Sequence, residues 1–323
     1  MPARTKAIGL AIAQLRFAGL AGLFGLCVAF FAVRSPGFIS PGNLNSILQF
    51  STLLILVTFG QTLVILGGGG GIDLSVGGIV SLTGLAIGFA LRQGASAAVA
   101  AGSGIVLGAV LGLINGVLVA RLKLLPLIAT LGTFYAYNGL AVALTEGAPI
   151  SGLPSGFGRL GQESLAGVPL HTWFVVLPVF VILLFSLTQL PLGRWLYAIG
   201  NNERACRLLG LPVDGIRLWL YALSGTLAAL AGLVADSWLL SARPNIGQNL
   251  ELLSLTAALL GGTSIFGGVA SLTGSLMAAL FFTTLQTGLQ MANVNAIWQL
   301  GIVGLFLILS VWMDRVLKGA IDS

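Results

Sequence analysis

About ten long apolar runs constrain this chain more than any other feature. They centre on residues 17–33, 44–66, 74–91, 96–120, 125–144, 171–190, 216–240, 249–262, 273–291 and 296–313. A helix needs roughly 20 apolar residues to cross a hydrocarbon core of ~30 Å. In lipid every backbone polar group must be satisfied inside the protein, so runs of this length read as spanning helices. With 57% hydrophobic and only 7% charged residues, the composition is that of a polytopic membrane protein. The expected fold is all-α, with about ten transmembrane helices and one transmembrane domain over 1–323.

A net charge of +6 invites a nucleic-acid reading, which the placement of the charges removes. With the N-terminus inside and sides alternating, only Arg34, Arg92, Arg159 and Arg243 fall outside; the other eleven of the 15 Lys and Arg fall inside. That is the positive-inside bias, with both termini in the cytoplasm. Basic residues precede the first apolar run, as in a signal peptide, but no small-residue cleavage site follows. The run therefore reads as a retained first span. Cys27 and Cys206 lie far apart and supply neither a disulfide framework nor a metal pair.

One polar island interrupts the apolar pattern. Arg194–Arg217 packs in Glu203, Arg204, Arg207 and Asp214, with a short helical pattern from Asn202 to Leu209 closed by Gly210 and Pro212. A short helix on the Arg-rich side is what a soluble motor can grip. The other long polar stretch, about 145–170, is rich in Pro, Ser and Gly and reads as a connecting loop. Gly77–Gly84 and Gly267–Gly274 share a short echo, Gly-Gly-x-x-Ser-Leu-Thr-Gly, which reads as chance in a chain of this composition.

Within the spans, Gly104, Gly108, Gly112 and Gly116 form a small-residue stripe that lets helix backbones approach closely. That span is expected to be interior to the bundle. Ionisable groups in a membrane are expensive and mark functional candidates. Asp73 follows the run Gly67–Gly71, where it either caps the third span, with Ser75 nearby, or sits on a pathway. The run lacks the Lys-Ser/Thr of a phosphate loop, so an ATPase driving this protein must be a different chain. Asn115, Thr130, Thr133, Tyr135, Tyr137 and Asn138 fit a polar lumen for a neutral polyol, or bonds between helices. Asp236 and Glu251 read as lying near outer span ends around Arg243. The sole histidine, His171, reads as a wet structural group near an interface. No nucleophile, base or metal cluster is present, which speaks against a membrane enzyme. A secondary transporter using Asp73, Asp236 or Glu251 remains the alternative.

Four ordered blocks over about 44–313 resemble the permease subunits of bacterial sugar-type ATP-binding-cassette importers, the ribose permease group. They are Gly70-Gly-Ile-Asp-Leu-Ser-Val-Gly77, Asn115-Gly116 with Pro126–Thr133, Tyr197–Asn202 with Ala205, Arg207 and Gly210, and Glu251-Leu252 with Ala257-Ala258, Gly261–Ser264 and Gly267-Gly268. Five glycines stand where the family usually has three residues, Ala205-Cys206 replaces a frequent Ala-Ala, and Ala270 replaces a usual glycine.

The resemblance implies an inner-membrane permease coupled to a cytoplasmic ATPase that carries ATP and Mg²⁺, with no cofactor on this chain. It also implies a periplasmic sugar-binding protein and a second permease subunit, identical or related. Coupling falls to Asn202, Glu203, Arg204, Ala205, Arg207 and Gly210. The translocation path is sought among Asp73, Ser75, Asn115, Thr130, Thr133, Glu251, Thr263 and Ser264. The stretch at Ser241–Pro244 and Leu289–Ala292 also resembles permeases for the autoinducer-2 signal.

Overall fold

The computed structural model describes the backbone of residues 3–322, and side-chain surroundings over 17–295 and 297–316. Arg4, Lys6, Arg16 and Lys318, counted above among the inner charges, lie outside the described side chains. The helices are α1 (Ala3–Arg34), α2 (Pro41–Leu66), α3 (Val76–Arg92), α4 (Ala97–Gly116, prolonged by a π-helical turn over Val117–Arg121) and α5 (Pro126–Thr145). They continue as α6 (Arg159–Gln162), α7 (Leu177–Thr188, entered through a π-helical turn from Thr172), α8 (Pro191–Asn201) and α9 (Glu203–Leu208). The chain closes with α10 (Val213–Leu239), α11 (Leu250–Leu260), α12 (Leu272–Met291) and α13 (Ala296–Asp322). Two-residue strands β1 (Ile150–Ser151) and β4 (Ser241–Ala242) pair antiparallel, as do β2 (Ser164–Leu165) and β3 (Val168–Pro169).

All ten apolar runs are helical over most of their length, but they are unequal. Among the described residues seven helices are long and apolar enough to span a membrane, or eight if Thr172–Thr188 and Pro191–Asn201, bent by 70°, form one span. The remaining two, α3 and α11, are shorter apolar helices. Each is continued by irregular backbone, which membrane depth tolerates only where protein buries it or a cavity adjoins it.

The glycine stripe sets the centre of the bundle. Gly104 lies against Ile87 of α3, while Gly108, Gly112 and Gly116 lie against Gly225, Tyr221 and Leu218 of α10. A Cβ at Gly116 would come within 2.8 Å of Leu218 O, so these four positions are small because backbones touch there. The expectation of an interior span holds for this face; the other face of α4 exposes Val99, Val106 and Val110. α2 crosses α10 where Gly60 meets Ser224.

The first irregular segment joins α2 to α3. Gly68, Gly69 and Gly70 all have positive φ (69°, 66° and 69°), a left-handed path that side-chain-bearing residues rarely follow. Gly68 also abuts Gly200 at the end of α8 and Gly267 in the loop after α11, and Gly268 N donates to Leu66 O (3.1 Å). The extra glycines thus form a turn on which three segments converge. The echo at Gly77–Gly84 and Gly267–Gly274 is not a shared unit: the first copy is helical throughout, the second irregular over 267–271 and helical only from Leu272.

The second irregular segment precedes α11. Ala242 lies beside Gly88 and Gly247 beside Gly77, so the chain descends along α3 in non-helical form. Eleven helical residues separate those two contacts, a drop of roughly 16 Å at 1.5 Å per residue. Gly247 N is satisfied by Ser81 Oγ (3.0 Å). At the end of the bundle opposite α9, the 145–170 loop folds over α10: Ser237 Oγ donates to Phe157 O (2.6 Å) and accepts from Gly161 N (2.9 Å).

Candidate functional site

The break before α3 gathers the candidate residues of the first half of the chain. Asp73 is fully buried. Its Oδ1 accepts from Ser75 N (3.1 Å) and Ser75 Oγ (2.6 Å), and its Oδ2 accepts from Ser224 Oγ (2.8 Å). Asn115 Nδ2 donates to Ser75 Oγ (2.7 Å), and Thr133 Oγ1 donates to Asn115 Oδ1 (2.7 Å). Thr130 Oγ1 accepts from Leu74 N (3.1 Å), and Tyr221 OH donates to Ile72 O (3.3 Å). With its carboxamide set to satisfy both groups, Gln61 donates to Asp73 O (2.9 Å) and accepts from Asp73 N (3.3 Å).

Asp73, Ser75, Asn115, Thr130 and Thr133 therefore meet, as a polar lumen would require. They meet as a closed knot that binds α2, α4, α5 and α10 to the unwound segment. The groups that a broken helix leaves unpaired are satisfied inside the protein. Of the other residues in that scatter, Tyr137 bonds Leu111 O (3.1 Å) and Tyr135 is exposed. Gln61, Tyr221 and Ser224 were missed because nothing in their own apolar helices singles them out.

The second-half candidates do not join this knot. Glu251 is buried at the start of α11; its Oε2 lies beside Gly77 and that oxygen has no hydrogen-bond partner among the described residues. Thr263 is fully buried with its hydroxyl unpaired among the described residues, and Ser264 Oγ donates to Asp314 Oδ2 (2.9 Å) on α13. Asp236 is not at a rim with Arg243: it is fully buried against Gly84, and among the described residues neither carboxylate oxygen has a hydrogen-bond partner. His171 is not a wet interface group either. It is fully buried, with Nδ1 3.0 Å from Thr52 Oγ1. No cluster of three metal-ligating side chains occurs among the described residues.

At the end of the bundle away from the 145–170 loop, the island forms most of α8, all of α9, the start of α10 and a charge cluster. Asn202 caps α9, its Oδ1 accepting from Ala205 N (3.0 Å), as an N-cap asparagine does. Gly210 ends the turn at φ 81°. Glu203 Oε1 accepts from Arg207 Nε (3.0 Å) and Nη2 (2.7 Å), and Oε2 accepts from Arg217 Nη2 (2.8 Å). Arg207 also pairs with Asp214, and Lys123 Nζ donates to Asp214 Oδ1 (2.7 Å). The hydrogen bond from Arg217, helped by Arg207, holds the Glu203 carboxyl below its ordinary range despite partial burial.

Arg207 is exposed, and its hydrogen bonds go to Glu203 and Asp214 of the same chain. What α9 and its end display is Arg204, exposed, with Leu208 (83% exposed) and Leu209 (81%). The sequence signal for this tip is the leucine pair at the end of a charged helix. Arg217 also packs over Gly69. The displayed helix is thereby tied to the glycine turn and, four residues on, to Asp73.

Comparison with known proteins assigns the chain to a family. Residues 43–311 match the family described as branched-chain amino acid transport system / permease component. The chain belongs to this permease family. The permease is 39% identical over 296 residues to the ribose import permease protein of Bacillus subtilis strain 168, covering 91% of each chain. It is 36% identical over 292 residues to that of Escherichia coli K12, covering 89% of this chain and 90% of that protein. It is also 36% identical over 306 residues to the autoinducer 2 import system permease protein of Enterobacter sp. strain 638, covering 94% and 87%. No solved structure matches the permease. The resemblance to the ribose permease group is borne out: this is a multi-pass transport subunit of the inner membrane and not an enzyme.

Proposed function

We propose that this chain is the membrane permease of an ATP-driven importer for a monosaccharide, with ribose the first candidate. The similarity to ribose import permeases along nine-tenths of the chain carries this reading. ATP and Mg²⁺ are bound by a separate cytoplasmic ATPase, and a periplasmic binding protein delivers the sugar. A second permease subunit, identical or related, completes the transporter. The face carrying α9 is cytoplasmic, as are both termini.

Coupling runs through α9. The Leu208–Leu209 tip and Arg204 enter a groove on the ATPase, with Asn202, Ala205 and Gly210 shaping the helix. Glu203 and Arg207 keep α9 fixed to the bundle. Closure of the motor displaces α9, and Arg217 passes that displacement to the turn at Gly69 and the segment holding Asp73. The Asp73, Ser75, Asn115, Thr130 and Thr133 knot acts as the joint about which α3 moves, rather than as the sugar's own path.

Co-expression with the partner ATPase and binding protein, followed by uptake of labelled ribose in proteoliposomes, tests the proposal. ATP-dependent ribose uptake supports it. Ribose uptake without any ATPase would favour an ion-coupled transporter instead. The autoinducer-2 reading rests on the 36% identity to that permease, and competition of ribose uptake by the signal molecule separates the two.

A further inference from the structure

A cavity of about 500 Å³ lies between the start of α11, α12 and α13. It sits in the half of the bundle opposite α9, since α12 ends and α13 begins at that side. Its walls carry four carboxamides, Gln248, Asn249, Gln286 and Gln299, over an apolar floor that includes Val303 and Leu307. Among the described residues no ionisable side chain lines it. Gln248 and Asn249 belong to the segment that descends along α3 without helical structure, and Asn249 turns through φ 69° into α11. Unwound backbone at membrane depth that adjoins a cavity, followed by the start of a half-length helix, is where transporters place their cargo.

The side-chain chemistry agrees. Gln248 and Asn249 are exposed, and neither they nor Gln286 bonds to the rest of the chain through its carboxamide among the described residues, whereas Gln299 Nε2 reaches Val294 O at 3.4 Å. A carboxamide both donates and accepts, so it matches a hydroxyl of either polarity. Several such groups without a charge favour a neutral polyol and disfavour an anion or cation. The apolar floor suits the C–H faces of a sugar ring.

We infer that this cavity is the intramembrane binding site for the imported sugar, with Gln286 and Gln299 as its fixed contacts and Gln248 and Asn249 as contacts on the moving segment. This rests on the sugar-importer reading above. The second permease subunit closes the open side, where Leu252 and Leu300 are exposed.

The test uses the assembled complex with its ATPase and binding protein, and ribose at saturating concentration. Gln286→Leu with Gln299→Leu is expected to lower uptake at least tenfold in a complex that still assembles. Gly304→Phe fills the cavity and leaves all four carboxamides in place. A Cβ at Gly304 meets nothing within 4 Å, so assembly is expected to survive and uptake to fall. Charged competitors such as ribose 5-phosphate are expected not to inhibit. Wild-type uptake with unchanged uptake in both variants would overturn the site alone. A wild-type complex that imports no monosaccharide would overturn the importer reading and the site together. Should the leucine pair fail to assemble, Gly304→Phe decides by the same readout.

Discussion

Arg217 and Glu203, 14 residues apart across the turn at Gly210, meet at 2.8 Å. Arg217 stands near the start of a 27-residue helix and Glu203 at the start of a six-residue one. Their bond fixes the short helix to the long one. Because Arg217 also covers Gly69, the pair joins the displayed helix to the turn that precedes α3.

Removing this pair should uncouple rather than unfold. Glu203→Gln keeps the shape but loses the charge assistance of three hydrogen bonds, each worth about 1.5–3 kcal/mol when intact, less where water screens it. ATP-driven uptake is expected to fall roughly tenfold, with basal ATP hydrolysis retained, on the scale of about 1.4 kcal/mol per decade. Full uptake by this variant in proteoliposomes would remove α9 from the coupling route.

The same pair predicts a pH dependence. Glu203 has its carboxyl lowered from 4.5, so its contribution is complete above that value and is lost as pH falls through the lower folded value. Thermal unfolding in detergent should show a lower Tm near pH 3 than near pH 7. Glu203→Gln should flatten that difference, and an unchanged slope would assign the acid sensitivity elsewhere.

The exposed tip should matter to the partner and not to the fold. Leu208→Asp with Leu209→Asp is expected to abolish co-purification of the ATPase. The isolated permease should stay within about 0.5 kcal/mol of wild type, as exposed substitutions usually do. Arg204→Glu is expected to weaken the complex less than the leucine pair. Binding curves by surface plasmon resonance rank the three.

Gly112 touches the backbone of Tyr221, where any Cβ would collide. Gly112→Val should separate α4 from α10 and lower stability by about 1–3 kcal/mol, the usual cost of overpacking. Gly102→Ala is the control, since nothing lies within 4 Å of its added Cβ. Unfolding titrations in mixed micelles should show a shifted midpoint for the first and none for the second.

Asp73→Ala leaves Ser75 N, Ser75 Oγ and Ser224 Oγ without their acceptor. Each buried orphan costs about 1–3 kcal/mol, so poor expression is expected. Asp73→Asn preserves one acceptor oxygen and should be recovered in better yield. Equal yields in membranes, measured by in-gel fluorescence of a tagged chain, would contradict the knot.

Much of this molecule is readable in its residues taken one segment at a time. The apolar runs mark the helices, because span length follows from the thickness of the hydrocarbon core. The four-residue glycine stripe marks a close helix contact, and Asn202 with Gly210 marks the bounds of α9. Glu203 and Arg207, four apart, are a pair any helix would form. The sequence by itself therefore determined the class, the helical segments and the place of the displayed helix.

Other features exist only once distant segments meet. That Asp73 sits in a closed hydrogen-bonded knot depends on Gln61, Asn115 and Ser224, which come from three different helices. That Arg207 is occupied depends on Asp214, brought back by the turn at Gly210. The non-helical descent from Ala242 to Gly247 reads in sequence as part of a loop, since an irregular backbone is stable at that depth only where α3 supplies packing and Ser81 a hydrogen bond. The tertiary structure decided these points for one physical reason: in a membrane the partner of each unpaired polar group must come from the protein, and sequence proximity does not say which part of it.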